Sequence, residues 1–400
     1  MKYDFDTVID RTGMDSIAVE QIPIPDAPVK EGVSRIPMWV ADMNFATVPD
    51  IPEKLKERAK HPLYGYFSPR REYTDAILTW QKERNGTDLS PEDLLYENGV
   101  LGGLATAVRA FTNPGDGILL HSPCYIGFQF VLERFTDRHM AFSPLKRDEA
   151  GVWRMDLADM ERKIRENHVT LAVFCSPHNP TGRVWEREEI EAAMALYAKY
   201  DLTVVSDEIW SDLILPGHHH VPTISVSEDA ADRVISLYAP SKTFNLAGLV
   251  GSYAVVRNPD RREKMKATAD LTGYNSMNLL SMYALIGGYS EHGAEWTDQL
   301  CRVIDRNVEK TMAFFAEAAP EIRIARPQGT YMLYLDCGEW CAKHRTDIDT
   351  LLRAGVFEGV IWQDGRPFRW PDSIRMNLAL PKKLLDEALT RLKRVFRQYP

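Results

Sequence analysis

Lys242 stands in 236-SLYAPSKTFNLAG-248, just past the apolar run Val234-Ile235 and Leu237-Tyr238. A lysine carried past a buried strand into an interior loses hydration. Its ammonium becomes less favourable, and the free amine becomes available as a nucleophile. Two more polar residues follow apolar runs in the same way. Asn179 follows 169-VTLAVFCSP-177 within 175-CSPHNPTG-182, and Asp207 comes directly after 202-LTVVS-206. Gly99 opens 99-GVLGGLATAVRAF-111, a glycine-led helix start whose free amides can hold an anion. Each has a plainer reading: Asn179 as a turn residue, Asp207 as a cap, Gly99 as a turn. As a set they place an amine, a carboxylate, an amide and an anion cup together.

The elements around these residues say where that place is. Helical and strand patterns alternate from about 50 to 260. A helix at 72–84 precedes the Gly99 helix, and a strand at 118–122 leads to a helix at 126–135. The apolar run from 169, a helix at 186–200 and the apolar run from 202 follow. Strands apolar on both faces and separated by helices indicate a parallel sheet covered on two sides. Ligands of such sheets bind beyond the carboxyl ends of the strands. Helical signal dominates 260–318. A smaller α/β unit follows, with strands at 322–325, 331–336 and 374–379 and a helix near 347–354. Its last helix carries Leu385, Leu389, Leu392 and Phe396 as one stripe. The expected fold class is α/β: a large doubly wound, mostly parallel sheet domain with a smaller α/β domain. The expected division is an N-terminal arm at 1–48, broken by 22-IPIPDAP-28, a large domain at 49–285 and a small one at 286–400.

Composition narrows the function classes. The chain has 400 residues, 44% hydrophobic and 26% charged, as in a soluble globular protein. Its net charge of −9 disfavours nucleic acid and anionic membrane as partners. No apolar stretch of about 18 residues occurs, and the N-terminus has no apolar leader core. The chain reads as cytoplasmic. Cysteines 124, 175, 301, 337 and 341 form no CxxC pair and read as reduced thiols, not as metal ligands. His218-His219-His220 lies in a Pro-Gly loop with no evident carboxylate or cysteine partner, which favours a solvated loop over a metal site. Trp39, Trp362 and Trp370 either line an entrance or fill core.

Pyridoxal phosphate is the cofactor that needs all four groups. It takes a lysine, an acid against its ring nitrogen, a donor to its phenolic oxygen and a cup for its phosphate. NPTG, 207-DEIW, 241-SKTFNLAG and 374-IRMN resemble the fold-type I pyridoxal-phosphate enzymes in order and spacing, 28 positions from Asn179 to Asp207 and 35 from there to Lys242. More closely, 38-MWVADMNFAT, 64-YGY, SPHNPTGRVW and SKTFNLAGL resemble the cystathionine β-lyase (MalY/PatB) group, from near residue 1 to the end.

The resemblance implies roles. Lys242 carries the cofactor and moves the Cα proton. Asp207 pairs with the ring nitrogen, Asn179 bonds the phenolic oxygen, and Tyr125 stacks on the ring. The amides of Val100 and Leu101, with Ser241, hold the phosphate. Tyr66 reaches the site of a neighbouring subunit in a homodimer, and Arg375 clamps the substrate carboxylate. For the last two, a core aromatic and an ordinary salt bridge are the plainer alternatives. The chain also departs from the aminotransferase pattern, with Trp210, Ala239 and Val250 where a tyrosine, a serine and an arginine are usual. Two phosphate anchors and one phenolate donor are thereby lost. Asn44 stands where the lyase group commonly has an aspartate. The expected function is a carbon–sulfur β-lyase acting on cystathionine or related S-substituted cysteines. The rivals are an aminotransferase with the same cofactor residues and a regulatory binding protein built on this fold.

Overall fold

The computed structural model describes residues 1–398. Its central element is a seven-stranded sheet. The strands run in the order Leu94–Glu97, Ser252–Val255, Val234–Tyr238, Thr203–Asp207, Val169–Cys175, Gly117–Ser122, His139–Pro144. Ser252–Val255 is antiparallel to both of its neighbours, and the other pairings are parallel. Alternate residues of Val169–Cys175 go to opposite faces. Ala172 and Phe174 join the core that holds Trp185, Ile190 and Met194. Leu171, Val173 and Cys175 join the one that holds Leu104, Val108 and Phe128. Two-sided burial is why these strands read as continuous apolar runs. Each large apolar side chain so buried contributes roughly 1.5–3 kcal/mol.

A four-stranded antiparallel sheet forms the second layer system, ordered Arg323–Ile324, Met332–Asp336, Ser373–Asn377, Gln363–Asp364. Lys382–Phe396 packs Leu385, Leu389, Leu392 and Phe396 inward, the stripe read from the sequence. The Glu291–Ala318 helix starts at Ser290, whose hydroxyl accepts from Gly293 N.

The N-terminal segment is tied down. Phe5 packs edge-on against Phe45 at 5.3 Å and at a tilt against Trp296 at 5.6 Å. Ile36–Pro37 pairs in parallel with Val360–Ile361. From there the chain crosses to the carboxyl edge of the large sheet.

Some element bounds differ from expectation. The Leu94–Glu97 and His139–Pro144 strands are the two edges of the sheet; they are partly exposed and lack a two-sided apolar run. The helix expected at 126–135 ends at Leu132, where Arg134 and Phe135 turn back onto the carbonyls of Val131 and Leu132. The strand expected to reach 379 ends at Asn377, whose side chain takes Ala379 N at 2.7 Å and bends the chain. Among the described residues, no helix is long and apolar enough to cross a membrane.

Candidate active site

Lys242 reaches its position through a tight turn. Phe244 N donates to Pro240 O and Leu246 N to Ser241 O. The next two side chains pin the turn from below. Thr243 donates to Asp212 at 2.8 Å, and the fully buried Phe244 packs on Trp80 and Trp296. What remains free is the lysine, and its Nζ donates to Ala41 O at 3.1 Å. The same Nζ lies 5.9 Å from the ring centre of Trp210.

A cavity of about 230 Å³ surrounds this amine. Asp207, Asn179, Tyr125, Ser241, Val100 and Leu101 all line it. Asp207 ends its strand and is buried. Its carboxylate accepts from Ile209 N at 3.1 Å. Burial pushes its carboxyl up to about 7, partly offset by that bond and by Lys242. Burial pushes Lys242 the other way, down to about 8. Arg375 adds to the depression, while Asp42 and Asp207 oppose it. The site therefore holds a lysine that is substantially a free amine at mildly alkaline pH.

The opposite wall is a helix end. Val100–Phe111 begins after Gly99, whose φ of +82° suits glycine. The first intrahelical bond is Gly103 N to Gly99 O, so the amides of Val100, Leu101 and Gly102 have no helical acceptor. Their partial positive charge faces the same cavity as the Ser241 side chain. Among the described residues, Lys242 is the only lysine or arginine in the lining. Ala239 and Val250 both line it and bring no charge to this wall.

Arg375 lies behind the lining and is buried. Its Nη1 donates to Asn179 Oδ1 at 3.2 Å and its Nη2 to Trp39 O at 3.0 Å. Its Nε is buried without a partner. No carboxylate pairs with it among the described residues, which removes the salt-bridge alternative. Burial lowers the guanidinium to about 10. With its carbonyl oxygen held by Arg375, Asn179 has its amide nitrogen left to offer. A buried guanidinium with an unused N–H asks for an oxyanion.

Tyr66 is not in this cavity. It is fully exposed, which removes the core-aromatic alternative, and lines a separate surface groove with Tyr64, Phe67, Tyr96 and Asn275.

The segment 39–43 is the part of the site that sequence reasoning did not resolve. Trp39 and Ala41 give backbone carbonyls to Arg375 and Lys242. Asn377 Nδ2 bridges the carbonyls of Val40 and Asp42 at 2.8 and 2.7 Å. Asn245 exchanges two hydrogen bonds with the backbone of Met43. Backbone acceptors carry no residue signature, so only the run 38-MWVADMNFAT and its Trp39 pointed here. Asn44 is buried and accepts from Arg11.

The histidine loop corrects one expectation. His220 is buried and its Nε2 is bonded to Glu208 at 2.8 Å, so this histidine has a carboxylate partner and is not solvated. Glu208 also accepts from Tyr238 and Ser236. Among the described residues no cluster of three or more His, Cys, Asp or Glu could hold a metal. All five cysteines are buried and free. Trp362 is core, donating to Leu352 O, and Trp370 packs edge-on against Trp153 at 5.1 Å. Elsewhere, a furrow of about 370 Å³ runs between the N-terminal arm and the Glu291–Ala318 helix. Its lining mixes exposed cations with aromatic and polar residues and lacks the convergence seen around Lys242.

Comparison with known proteins places this geometry. The chain is 35% identical to cystathionine β-lyase PatB of Bacillus subtilis, with 90% of the chain and 92% of the relative covered. It superposes on the crystal structure of cystalysin from Treponema denticola, which contains a pyridoxal 5'-phosphate cofactor, with a TM-score of 0.92 and 31% identity over the whole of both chains. It also superposes on the pyridoxal-phosphate-bound C–S lyase from Staphylococcus hominis, with a TM-score of 0.89 and 27% identity over 99% of this chain and 98% of that one. The profile of aminotransferase class I and II matches residues 36–392, and the chain belongs to that family.

Proposed function

We propose that this chain is a pyridoxal-phosphate-dependent carbon–sulfur β-lyase. It would cleave L-cystathionine, or a related S-substituted cysteine, to a thiol, pyruvate and ammonia. The observation that carries this is the cavity itself: a lysine amine, a buried carboxylate and an unsatisfied helix N-terminus lie around one space of about 230 Å³.

The residues fit the cofactor. The buried, unpartnered Nε of Arg375 and the open amides of Val100 and Leu101 are donors awaiting anions. Val100, Leu101 and Ser241 would hold the phosphate, Tyr125 would lie against the ring, and Asn179 would donate to the phenolic oxygen. Asp207 would keep a proton on the ring nitrogen. A cationic nitrogen against that carboxylate would restore its charge, which burial alone opposes. When bound, the cofactor supplies an electron sink for a proton lost from Cα. Lys242 would hold it and, with a substrate amine bound, would remove that proton as general base. Arg375 fixes the substrate by its carboxylate. The β-thiolate is then a competent leaving group, and water converts the remainder to pyruvate and ammonia.

The similarity to PatB, named a cystathionine β-lyase, and to structures titled as C–S lyases supports lyase over aminotransferase. The cavity lining supports it as well. Trp210 and Val250, at positions where aminotransferases usually carry a tyrosine and an arginine, both line it. The same reading carries the division into an arm at 1–48, a large domain at 49–285 and a small one at 286–400. It also carries a cytoplasmic homodimer in which Tyr66, exposed in its own chain, serves the partner's site.

The test is a product assay without added keto acid, on cystathionine and a panel of cysteine S-conjugates. Equal amounts of thiol, pyruvate and ammonia are expected, with the cofactor in its aldehyde form over many turnovers. Catalytic amination of an added keto acid, with no thiol or pyruvate from any conjugate, would instead make the protein an aminotransferase.

A further inference from the structure

Tyr331 is fully buried, yet its hydroxyl has no hydrogen-bond partner. Buried hydroxyls are ordinarily paired, and an unpaired one calls for a physical explanation. The backbone around it is firmly set. Thr330 has φ +63°, its N donates to Leu213 O at 2.7 Å, and its Oγ1 takes Met332 N. Leu378 N donates to Tyr331 O at 2.8 Å. The tyrosine is therefore held in place by main-chain contacts, and its hydroxyl plays no part in holding it.

Its surroundings identify the missing partner. Arg375, Asp42 and Tyr125 are the charged and ionisable groups that act on this hydroxyl. Arg375 feels Tyr331 in return. Asp42 is paired with Arg11. Arg375 carries the second orphan of the neighbourhood, its Nε–H. Two buried donors with no acceptor, each on a residue that touches the cavity lining, Tyr331 at Trp210 and Arg375 at Asn179, match a group with two acceptor oxygens and no hydrogens. A carboxylate is such a group. The position is also right for a reacting amino acid. The Tyr331 ring meets Trp210 edge-on at 4.8 Å, and Trp210 lies under the Lys242 amine.

Resting on the proposed function above, we propose that Tyr331 is a substrate-binding residue. Its hydroxyl donates to one oxygen of the amino-acid carboxylate, and Arg375 Nε–H donates to the other. Trp39 O now occupies Nη2 of Arg375, and Arg375 is closed off. A carboxylate reaches the pair as that contact opens, while Nη1 keeps its bond to Asn179.

The test is Tyr331→Phe in the cofactor-loaded protein, which removes one oxygen and keeps the ring. L-alanine and ethylamine are titrated separately, with binding read from the absorption of the cofactor. They differ by the carboxylate alone. The variant is expected to bind L-alanine about tenfold more weakly and ethylamine unchanged. Equal weakening of both probes, or of neither, overturns the assignment. The absorption reports only loaded sites, so the ratio of the two affinities stays readable if the variant loads poorly. Binding requires no turnover, so the result stands whether the protein is a lyase or an aminotransferase. Failure of the parent protein to bind L-alanine at all would overturn both this assignment and the site reading beneath it.

Discussion

Arg375 and Asn179 are 196 positions apart in the chain and joined by a hydrogen bond of 3.2 Å. One stands on the four-stranded sheet and the other just past a strand of the seven-stranded sheet. The bond brings the proposed carboxylate clamp to the proposed phenolate donor. Neither sheet alone contains a complete site.

Lys242→Ala is expected to abolish turnover while leaving a protein that still takes up cofactor. In the parent protein, borohydride should fix the cofactor to the one peptide that contains Lys242. Normal turnover in the variant would remove this lysine from the mechanism.

The rate of cofactor capture by ligand-free protein should depend on pH in a defined direction. Capture needs the uncharged amine, and burial lowers Lys242 from its ordinary 10.5 to about 8. The rate should therefore rise as pH rises through about 8 and level off above it. A rate still climbing beyond pH 10 would mean that the lysine behaves as an exposed one.

Asp207→Ala leaves a bound ring nitrogen without its counter-charge. A fall in kcat of about 10³ is expected, or roughly 4 kcal/mol of barrier. A loss below tenfold would show that some other group protonates the ring.

Tyr66 can be tested by mixing subunits. Lys242→Ala and an inactive Tyr66→Phe are each prepared and then refolded together. If Tyr66 serves the partner's site, a mixed dimer has one site with both defects and one with none. Activity should return toward half per mixed dimer. Mixed dimers that form and stay dead would assign Tyr66 to its own chain or to no catalytic task.

Gly355→Ala separates helix propensity from packing. Gly355 lies inside the Ile348–Phe357 helix, where alanine is ordinarily favoured by up to about 1 kcal/mol. A Cβ there would sit 2.3 Å from the buried Trp362 ring. Overpacking of this kind costs roughly 1–3 kcal/mol. A lower melting temperature is expected, and a higher one would show that the indole can move aside.

Much of the site could be read from the chain because its chemistry is tied to local pattern. Lys242, Asp207 and Asn179 each follow an apolar run, and a parallel sheet sends all such positions to one edge. Gly99 before a small-residue helix carries its own anion-binding signature. The sheet itself was legible because two-sided burial writes continuous apolar strands. The edge strands at 94–97 and 139–144 were not, because half-exposed strands carry no such run. What only the tertiary structure decided is contact between distant backbone and side chains. The carbonyls of Trp39 and Ala41 accept from Arg375 and Lys242, yet a carbonyl is the same in every residue type. His220 looked solvated because its partner Glu208 is set by the fold and not by spacing. Tyr331 read as one more aromatic of a strand. Its unpaired hydroxyl, on a ring packed against Trp210, exists only once two sheets have packed, since burial and the lack of a partner are properties of a place and not of a residue.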